Sequence, residues 1–410
     1  MGVGGFLTPA PDPSPAAAAA RIAQGAAELR NLSTERLFNA WCGAVEAFLD
    51  PSSEERAAIE RDWVRSTRLS ATGLNAGLRA VLGGLRGQPA RRLFASSTFE
   101  EPSTPDSPVL VVLASNLPAL AAQPLLPCLA LRRPTLLKSP SAEPFFAPAL
   151  VRALAHREPV LGKAVAAAAW KGGDRAVEAP VLDRVGRVLA YGDAESIADL
   201  ERRAPGKVHA YGPKTSVAIL SSGSDPVSSQ TIAGLARDIA LFDQRGCLSV
   251  TAVFTTGDPR WLADRLAAAL GEAHRRLPPG PPTLAEQAAV RQLRGAAAMA
   301  GLYRPQLPAA AGTVVVAAEP IFEPSPGLRT VRVLPIDRAH DAVDALRGWS
   351  GRIQGVALAG MTWKGETGVD LRCALAALGI SRFAAPGELQ SPDASWHNGG
   401  DDPLRVLCAT

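Results

Sequence analysis

The sequence predicts an α/β protein with two doubly wound domains, and two observations support this class. Residues 109–113 (VLVVL) form a continuous apolar run, which is typical of a strand buried on both faces of a parallel sheet. Strand-like and helix-like segments then alternate twice, over residues 109–191 and again over 247–385. Such alternation predicts parallel sheets covered by helices. A chain of 410 residues is long enough for two or more packed domains.

The N-terminal third of the chain predicts helices and loops. Residues 1–15 are rich in glycine and proline, so we expect them to be disordered. Residues 16–87 predict helices, one of which is capped by Ser33 or Thr34 and ends at Leu49. Residues 88–107 combine turn-forming residues with little periodicity, which predicts a loop or a hairpin.

In the first alternating segment, polar and glycine residues follow the predicted strands. Strands are predicted at 109–113, 135–138 and 185–191, with helices at 119–131 and 145–155 and an apolar run at 164–170. Parallel sheets bind ligands at the carboxyl ends of their strands. The residues that fall at such ends, and that therefore predict a ligand site, are Asn116, Lys138, Gly172, Gly173, Gly192 and Asp193.

The second segment repeats the alternation without a recognisable internal repeat. Its predicted strands are 249–255, 313–317, 328–334 and 353–358, and its predicted helices lie near 259–275, 284–302 and 367–378. Residues 278–282 are a proline and glycine linker.

Composition excludes several classes of function. The net charge is +4 and the arginines are scattered, which argues against nucleic acid as a partner. The five cysteines form no CxxC pair and the five histidines are not paired at metal spacing, so no metal site is expected. No long apolar run predicts a membrane span, and no signal segment is recognisable. Unpaired cysteines favour a reducing compartment, and the predicted location is cytoplasmic.

One cysteine stands at a junction between elements. Cys247 follows Gly246 and lies between a helix-like run (231–242) and a strand-like run (250–254). A thiol at such a junction can face a cleft, and a thiolate is a strong nucleophile near neutral pH. The alternative is a small buried apolar residue, because free cysteine is among the most buried residue types. Spacing alone favours the second interpretation and leaves both open.

Six short motifs occur in a recognisable order. They are residues 114–118 (ASNLP), 137–144 (LKSPSAEP), 170–174 (WKGGD), 190–193 (AYGD), 209–216 (HAYGPKTS) and 243–247 (DQRGC). Together they resemble the fatty acyl-CoA reductase of bacterial luciferase operons (LuxC type), a branch of the aldehyde dehydrogenase superfamily. The similarity runs from about residue 30 to the C-terminus.

The resemblance implies an aldehyde-dehydrogenase-like architecture. Residues 16–245 would hold the N-terminal helices and a Rossmann-like nicotinamide-binding domain, and residues 246–385 the catalytic domain with the cysteine. Residues 386–410 would form a tail returning to the cofactor or oligomerisation region. Residues 88–107 would be the oligomerisation hairpin, so a homo-oligomer is expected.

The resemblance also implies a reaction. Cys247 would attack an acyl-CoA, release CoA and hold the acyl group as a thioester, which hydride from a nicotinamide then reduces to the aldehyde. Asn116 matches the side-chain amide that stabilises the oxyanion together with the backbone N–H of the cysteine. Its alternative interpretation is a turn residue before Pro118. The acyl donor would be an acyl-CoA or an acyl-protein thioester, and the family works with an acyl-transferring partner protein.

The cofactor residues follow from the same motifs. Lys138 matches the lysine that contacts the adenosine ribose, although a solvated lysine at a strand end is the alternative. Ser141 replaces the glutamate of NAD-preferring relatives, which removes repulsion of a 2′-phosphate and favours NADPH, with NADH still open. The residues that match turns around the pyrophosphate and nicotinamide, or are plain turn residues, are Gly172, Gly173, Gly192 and Asp193.

Departures from the family patterns leave alternatives. Residues 210–214 (AYGPK) lack the glutamate base of hydrolytic aldehyde dehydrogenases, which favours thioester reduction over hydrolysis. The reverse, CoA-acylating oxidation would use the same residues. Pro320 replaces a cofactor-contacting glutamate and residues 248–250 differ from the family, so a catalytically idle subunit is the third alternative. His209 and His397 are not assigned to the chemistry.

Overall fold

The computed structural model describes residues 14–96, 106–221, 227–360 and 366–408. The α-helices in these ranges are α1 Pro15–Gln24, α2 Ala26–Arg30, α3 Thr34–Leu49, α4 Glu54–Ala57, α5 Glu60–Thr67, α6 Ala71–Leu82, α7 Gly87–Ala95, α8 Ala122–Ala130, α9 Phe146–Arg157, α10 Pro159–Ala164, α11 Arg175–Leu182, α12 Ala194–Arg203, α13 Ser229–Ala240, α14 Pro259–Arg276, α15 Leu284–Met299, α16 Asp341–Leu346, α17 Glu366–Ala377 and α18 Pro403–Cys408. The strands are β1 Val109–Val112, β2 Thr135–Ser139, β3 Val165–Ala169, β4 Arg187–Tyr191, β5 Val208–Tyr211, β6 Thr215–Leu220, β7 Val250–Thr255, β8 Thr313–Val316, β9 Thr330–Pro335, β10 Ile353–Ala359 and β11 Arg382–Ala384. Short 3₁₀ helices lie at Gly83–Leu85, Leu241–Gln244, Arg347–Trp349 and Asn398–Gly400.

The first sheet is parallel and has the order β3-β2-β1-β4-β5. Val109 and Val111 of β1 pack into the core that holds α8 and α9, whereas Leu110 packs into the core that holds α1 and α11. β1 is therefore buried on both faces, as its apolar run predicts. The chain crosses from β3 to the far side of β1, so the carboxyl ends of β1 and β4 border a topological switch point where ligands can bind.

The second sheet is also parallel, with the order β11-β10-β6-β7-β9-β8. Its two faces are likewise covered. Ala218 and Val253 pack into one apolar core, and Val217 and Phe254 pack into the other. The amino ends of β6, β7 and β10 turn toward the carboxyl end of the first sheet.

Helices from both chain ends complete the first unit. Trp41 of α3 and Trp63 of α5 are fully buried in the same core as β1. At the other end of the chain, α18 packs against α8, and the Arg133 guanidinium donates to the Leu407 carbonyl at 2.8 Å. The C-terminal segment thus returns to the first sheet.

The structure differs from three of the predicted boundaries. β6 and α13 fall inside the predicted first domain (16–245), yet β6 pairs with β7 and β10 of the second sheet, because its fully buried residues Val217–Leu220 need neighbours on both sides. The two sheets therefore separate between β5 and β6. Residues 88–95 belong to helix α7, since Ala90 and Phe94 form an apolar stripe at helical spacing, so this part of the predicted hairpin is wrong. Residues 97–105 of that hairpin, and residues 1–13 of the predicted disordered segment, lie outside the described residues.

Ser14 caps α1, which begins at Pro15 and so extends the predicted helical region to that residue. No helix in the described ranges is long and apolar enough to cross a membrane.

Candidate active site

A cavity of about 870 Å³ lies between the carboxyl ends of the first sheet and the amino ends of the second. This is within the size range of small-molecule sites. All of the predicted site residues line it, namely Asn116, Lys138, Ser141, Gly172, Gly173, Gly192, Asp193 and Cys247. Residues separated by up to 131 positions are therefore brought to one cavity by the meeting of the two sheets.

Cys247 lies between the 3₁₀ helix Leu241–Gln244 and β7, and it is partly buried. Its carbonyl accepts a hydrogen bond from the Ser216 hydroxyl at 2.8 Å, which ties the loop to β6. Burial raises the pKa of the thiol to about 11, while the backbone N–H groups of Cys247 and Leu248 and the charge of Lys214 oppose this rise. The thiol is consequently protonated at neutral pH in the free protein.

Asn116 belongs to the loop that follows β1. Its side-chain amide donates to the Arg245 carbonyl at 3.2 Å, two residues before Cys247. An amide nitrogen carries two hydrogens, so a second donor is left for a substrate oxygen. Asn116 and Cys247 line the same cavity, and an oxyanion site needs two donors such as this amide and a backbone N–H.

The cavity is also lined by Lys138, the penultimate residue of β2. Its side chain is mostly buried, and its ammonium lies 5.4 Å from the centroid of the Trp170 ring. Burial lowers the pKa of Lys138, and the nearby Glu178 carboxylate raises it. Within the described ranges no hydrogen bond or ion pair engages this ammonium, which leaves it free to bind a ligand.

Gly172 and Gly173 form the turn after β3. A Cβ built on either residue would meet no atom within 4 Å, and Gly173 has a φ of +79°. The turn therefore leaves open space at the cavity wall. This space, together with the unengaged Lys138 ammonium, fits the ribose and phosphate groups of a nicotinamide dinucleotide.

Gly192 and Asp193 lie at the start of α12. The Asp193 carboxylate caps the helix by accepting from the Ser196 N–H at 2.8 Å, and the hydrogen bonds from Ser196 lower its pKa. This contact matches the plain turn interpretation of Asp193. It also places a carboxylate where helix termini commonly receive phosphate, so Asp193 limits how closely a pyrophosphate can approach.

The sequence analysis misses a charged cluster beside Lys138. Arg203 of α12 pairs with Glu178 at 2.7 Å and with Asp199 at 2.7 Å, and all three line the cavity. Trp170 donates its indole N–H to Glu178 at 3.0 Å. Spacing on α12 indicates only the pair Asp199–Arg203, since Glu178 comes from another helix.

A stacked tyrosine pair forms another part of the wall. Tyr191 and Tyr211 are register partners on β4 and β5, with ring centroids 4.5 Å apart, and both line the cavity. Burial raises the pKa of Tyr191 well above its ordinary value, while a side-chain hydrogen bond with Asn398 opposes the rise. Both phenols are therefore neutral hydrogen-bond donors at neutral pH.

Neither unassigned histidine lines the cavity. His209 lies with its Nε2 3.5 Å from Asp401 and packs edge-on against Tyr211. Burial lowers the pKa of His209. The backbone carbonyl of His397 accepts from the Gly400 N–H at 3.1 Å, so His397 takes part in a turn.

Comparisons with known proteins agree with the motifs. A family model described as acyl-CoA reductase (LuxC) matches residues 88–409. The long-chain acyl-protein thioester reductase of Aliivibrio fischeri is 24% identical over 342 residues, which cover 82% of this chain and 69% of that protein. The long-chain acyl-protein thioester reductase 2 of Photobacterium leiognathi is 28% identical over 184 residues. That match covers 43% of this chain and 38% of the relative, so it spans well under half of the relative's length.

Solved structures identify the fold. Aldehyde dehydrogenase 21 from Physcomitrella patens, in complex with succinate, superposes with a TM-score of 0.70 at 14% identity. The superposition covers 95% of this chain and 87% of that one. The chain thus has the aldehyde dehydrogenase fold, as its motifs predict.

Proposed function

We propose that this chain, which belongs to the acyl-CoA reductase (LuxC) family, reduces an acyl thioester to an aldehyde with NADPH. The observation that carries the proposal is the position of Cys247 and Asn116 at one cavity that Lys138 and the Gly172–Gly173 turn also line. Such a cavity holds a nucleophile, an oxyanion site and a cofactor cradle.

In the proposed acylation step, the Cys247 thiol first loses its proton to solvent, and the resulting thiolate attacks the thioester carbonyl. The oxyanion accepts hydrogen bonds from the Asn116 amide and the Cys247 N–H. The bond between the acyl carbon and the CoA sulfur then breaks, and CoA leaves as a thiolate that takes a proton from solvent. Thioester exchange is favourable here because nucleophile and leaving group are both thiolates.

When bound, the nicotinamide supplies a hydride to the acyl carbon. Asn116 and the Cys247 N–H hold the oxyanion that forms, and its collapse breaks the bond to the Cys247 sulfur. The aldehyde leaves and the Cys247 thiolate is restored. Lys138 and the Gly172–Gly173 turn would hold the ribose and phosphate groups of the cofactor.

The charges around Cys247 support reduction rather than hydrolysis. Of the charged groups in the described residues, Lys214 is the one that shifts the pKa of the thiol. Tyr211 lines the cavity, whereas Ala210, its neighbour on β5, does not. We therefore expect slow activation of water and a thioacyl group that persists for transfer to hydride or to another thiol.

The proposed substrate class follows from the apolar wall beside Cys247. Val81, Leu85, Leu117, Leu120 and Phe242 line the cavity and come from α6, the next 3₁₀ helix, the loop after β1 and the turn before Cys247. An apolar wall favours a hydrocarbon acyl chain. The donor would be an acyl-CoA or, as the names of the relatives suggest, an acyl-protein thioester delivered by a partner. We also propose that the chain forms a homo-oligomer.

The NADPH preference rests on Ser141 and its surroundings. Ser141 contributes no negative charge, and the cations Lys138 and Arg203 line the same cavity. A 2′-phosphate is favoured by such a site. NADH is the competing cofactor, because Glu178 and Asp199 neutralise Arg203.

The test is oxidation of NADPH, followed at its absorbance band, with acyl-CoAs from short to long chain and with NADH in parallel. We expect aldehyde to appear with NADPH and one range of chain lengths. Cys247→Ala should abolish aldehyde formation and keep NADPH binding, whereas Cys373→Ala, a change at an exposed cysteine outside the cavity, should leave both unchanged. Full activity of Cys247→Ala would contradict the assignment of the nucleophile.

Other results separate the alternatives. Faster turnover from aldehyde, CoA and NADP⁺ than from acyl-CoA would favour the oxidative, CoA-acylating direction. NADPH binding without turnover of any acyl-CoA would indicate an acyl-protein donor. Absence of both NADPH binding and acyl-CoA turnover would favour the alternative of a catalytically idle subunit.

A further inference from the structure

The turn before Cys247 has an unusual backbone. Phe242, Asp243 and Gln244 have φ values of 57°, 50° and 64°, so three consecutive non-glycine residues adopt the left-handed conformation. Each of them is strained there, because the Cβ approaches the following carbonyl oxygen. Such a turn persists only where its surroundings hold it.

Gln244 is held by β9 and β7. Its Oε1 accepts from the Thr330 N–H at 2.8 Å, and its Nε2 donates to the Thr330 carbonyl at 2.8 Å. The same Nε2 donates to the Val250 carbonyl at 2.7 Å. The side chain of Gln244 is buried, so these bonds are shielded from water.

Asp243 is held by Arg329, the residue next to Thr330. The Arg329 guanidinium donates to Asp243 Oδ1 at 2.7 Å, and both side chains are only 3% exposed. Asp243 Oδ2 accepts from the Gly280 N–H at 2.9 Å. A buried ion pair of this kind is strongly coupled, because removal of one partner leaves the other charge uncompensated.

The distribution of these contacts shows what they fix. Residues 245–249 lie between two fixed points. On one side, Asp243 and Gln244 are held by their side-chain hydrogen bonds, and on the other side β7 begins at Val250, where the sheet fixes the backbone. Cys247 lies in the short segment between the two anchors. If the turn relaxed toward right-handed dihedrals, the change in chain direction would be taken up by residues 245–249, and the thiol would move.

We propose that Asp243, Gln244, Arg329 and Thr330, here called the clasp, hold the strained turn and thereby keep the Cys247 thiol in its place beside Asn116. These are positioning residues, since none of them touches the reacting atoms in the proposed mechanism. The inference rests on the proposed function only in taking Cys247 as the nucleophile.

The closing experiment compares Gln244→Ala with Gln244→Gly in the full chain. Both lose the side-chain bonds, but glycine adopts a positive φ without strain and alanine does not. Each variant is alkylated with iodoacetamide from pH 6 to 11, the rate at Cys247 is read by peptide mass spectrometry, and Cys373 serves as an exposed reference. Acyl-CoA turnover and thermal melting are measured in parallel.

For Gln244→Ala we expect the thiol to become exposed. The pH midpoint of Cys247 alkylation should fall from about 11 toward the ordinary value of 9.0, while turnover falls at least about tenfold. For Gln244→Gly, both the pH midpoint of Cys247 alkylation and the turnover should lie between those of Gln244→Ala and of wild type. The alkylation profile tests the clasp even if the protein turns over no acyl-CoA. Failure of the proposed function can therefore be distinguished from failure of the clasp inference.

Two results would overturn the inference. One is a folded Gln244→Ala protein with the wild-type alkylation profile, and the other is a larger effect of glycine than of alanine.

A second pair of variants, at two arginines, keeps the test decisive if the Gln244 variants do not fold. Arg329→Met should change the Cys247 profile, whereas Arg332→Met, which removes an arginine of β9 that pairs with Glu323 outside the clasp, should not. Equal profiles for that pair would also contradict the clasp.

Discussion

The raised pKa of Cys247 predicts a steep pH dependence of its reactivity. Because burial raises this pKa to about 11, only ~1 in 10⁴ of the thiols is ionised at pH 7. An ordinary thiol with the reference value of 9.0 would be ionised about a hundred times more often. Each unit of pH between 7 and 10 should therefore raise the rate of alkylation about tenfold, since the thiolate is the reacting species.

The assay is alkylation by iodoacetamide in buffers from pH 6 to 11, with each cysteine followed separately by peptide mass spectrometry. The rate at Cys247 should keep rising above pH 9, and acylation by acyl-CoA in a single turnover should follow the same slope. Lys214→Met should shift the curve to higher pH, because the positive charge of Lys214 opposes the rise in pKa. Lys163→Met, which removes an exposed lysine paired with Glu28, is the matched control and should not shift it. A rate that is already constant between pH 6 and 8 would refute this account of the site.

Three further predictions concern the oxyanion site, the cofactor and stability. Asn116→Ala should lower the rate of reduction about a hundredfold to a thousandfold in single-turnover assays with unchanged NADPH binding, because one oxyanion donor is lost; loss of NADPH binding instead would assign Asn116 to the cofactor. Ser141→Glu should lower kcat/KM for NADPH at least about tenfold relative to NADH, since a carboxylate repels the 2′-phosphate; an unchanged ratio would remove Ser141 from the cofactor site. Asp238, whose carboxylate accepts from the Gly387 N–H, has its pKa raised to about 7 by burial, so the folded state binds more protons and stability is lost as pH rises from about 4 to about 7. The free energy of unfolding of Asp238→Asn should vary less over that range in urea titrations, and equal slopes for the two proteins would contradict the assignment.

The sequence predicts the first sheet well because its strands carry their own signal. The apolar run of β1 is buried on both faces, and the same holds for the long apolar strands of the second sheet. β5 has a weaker signal, since His209 and Ala210 stay partly or fully exposed at a sheet edge, and the sequence analysis assigns no strand to residues 208–220. The sequence consequently predicts that the two sheets separate after α13, whereas in the structure they separate before β6.

The candidate site likewise contains residues that the sequence predicts and residues that it does not. Cys247, Asn116 and Lys138 can be found from the sequence because they lie in ordered motifs and carry chemistry in their side chains. The Tyr191–Tyr211 stack depends on the register of two strands, and the Glu178–Arg203 pair joins two helices, so neither is visible in local spacing. The left-handed turn at 242–244 contains no glycine and gives no sequence signal at all.

In the proposed thioester reduction, the protonated thiol of Cys247 has two consequences. A thiol that is mostly protonated in the free protein reacts only when its thiolate is held beside the acyl carbon, and the oxyanion donors Asn116 and Cys247 N–H favour that geometry. After acylation, Cys247 carries no charge, and its burial then favours the thioester because no ionic form has to be desolvated. Lys214 is the charged group that lowers the pKa of this thiol, and in the proposed mechanism we expect hydrolysis of the thioester to be slow. The same burial that slows the first step is therefore expected to protect the intermediate. Without NADPH, the thioacyl enzyme should persist for much longer than one catalytic cycle, and mass spectrometry of the acylated protein would detect it.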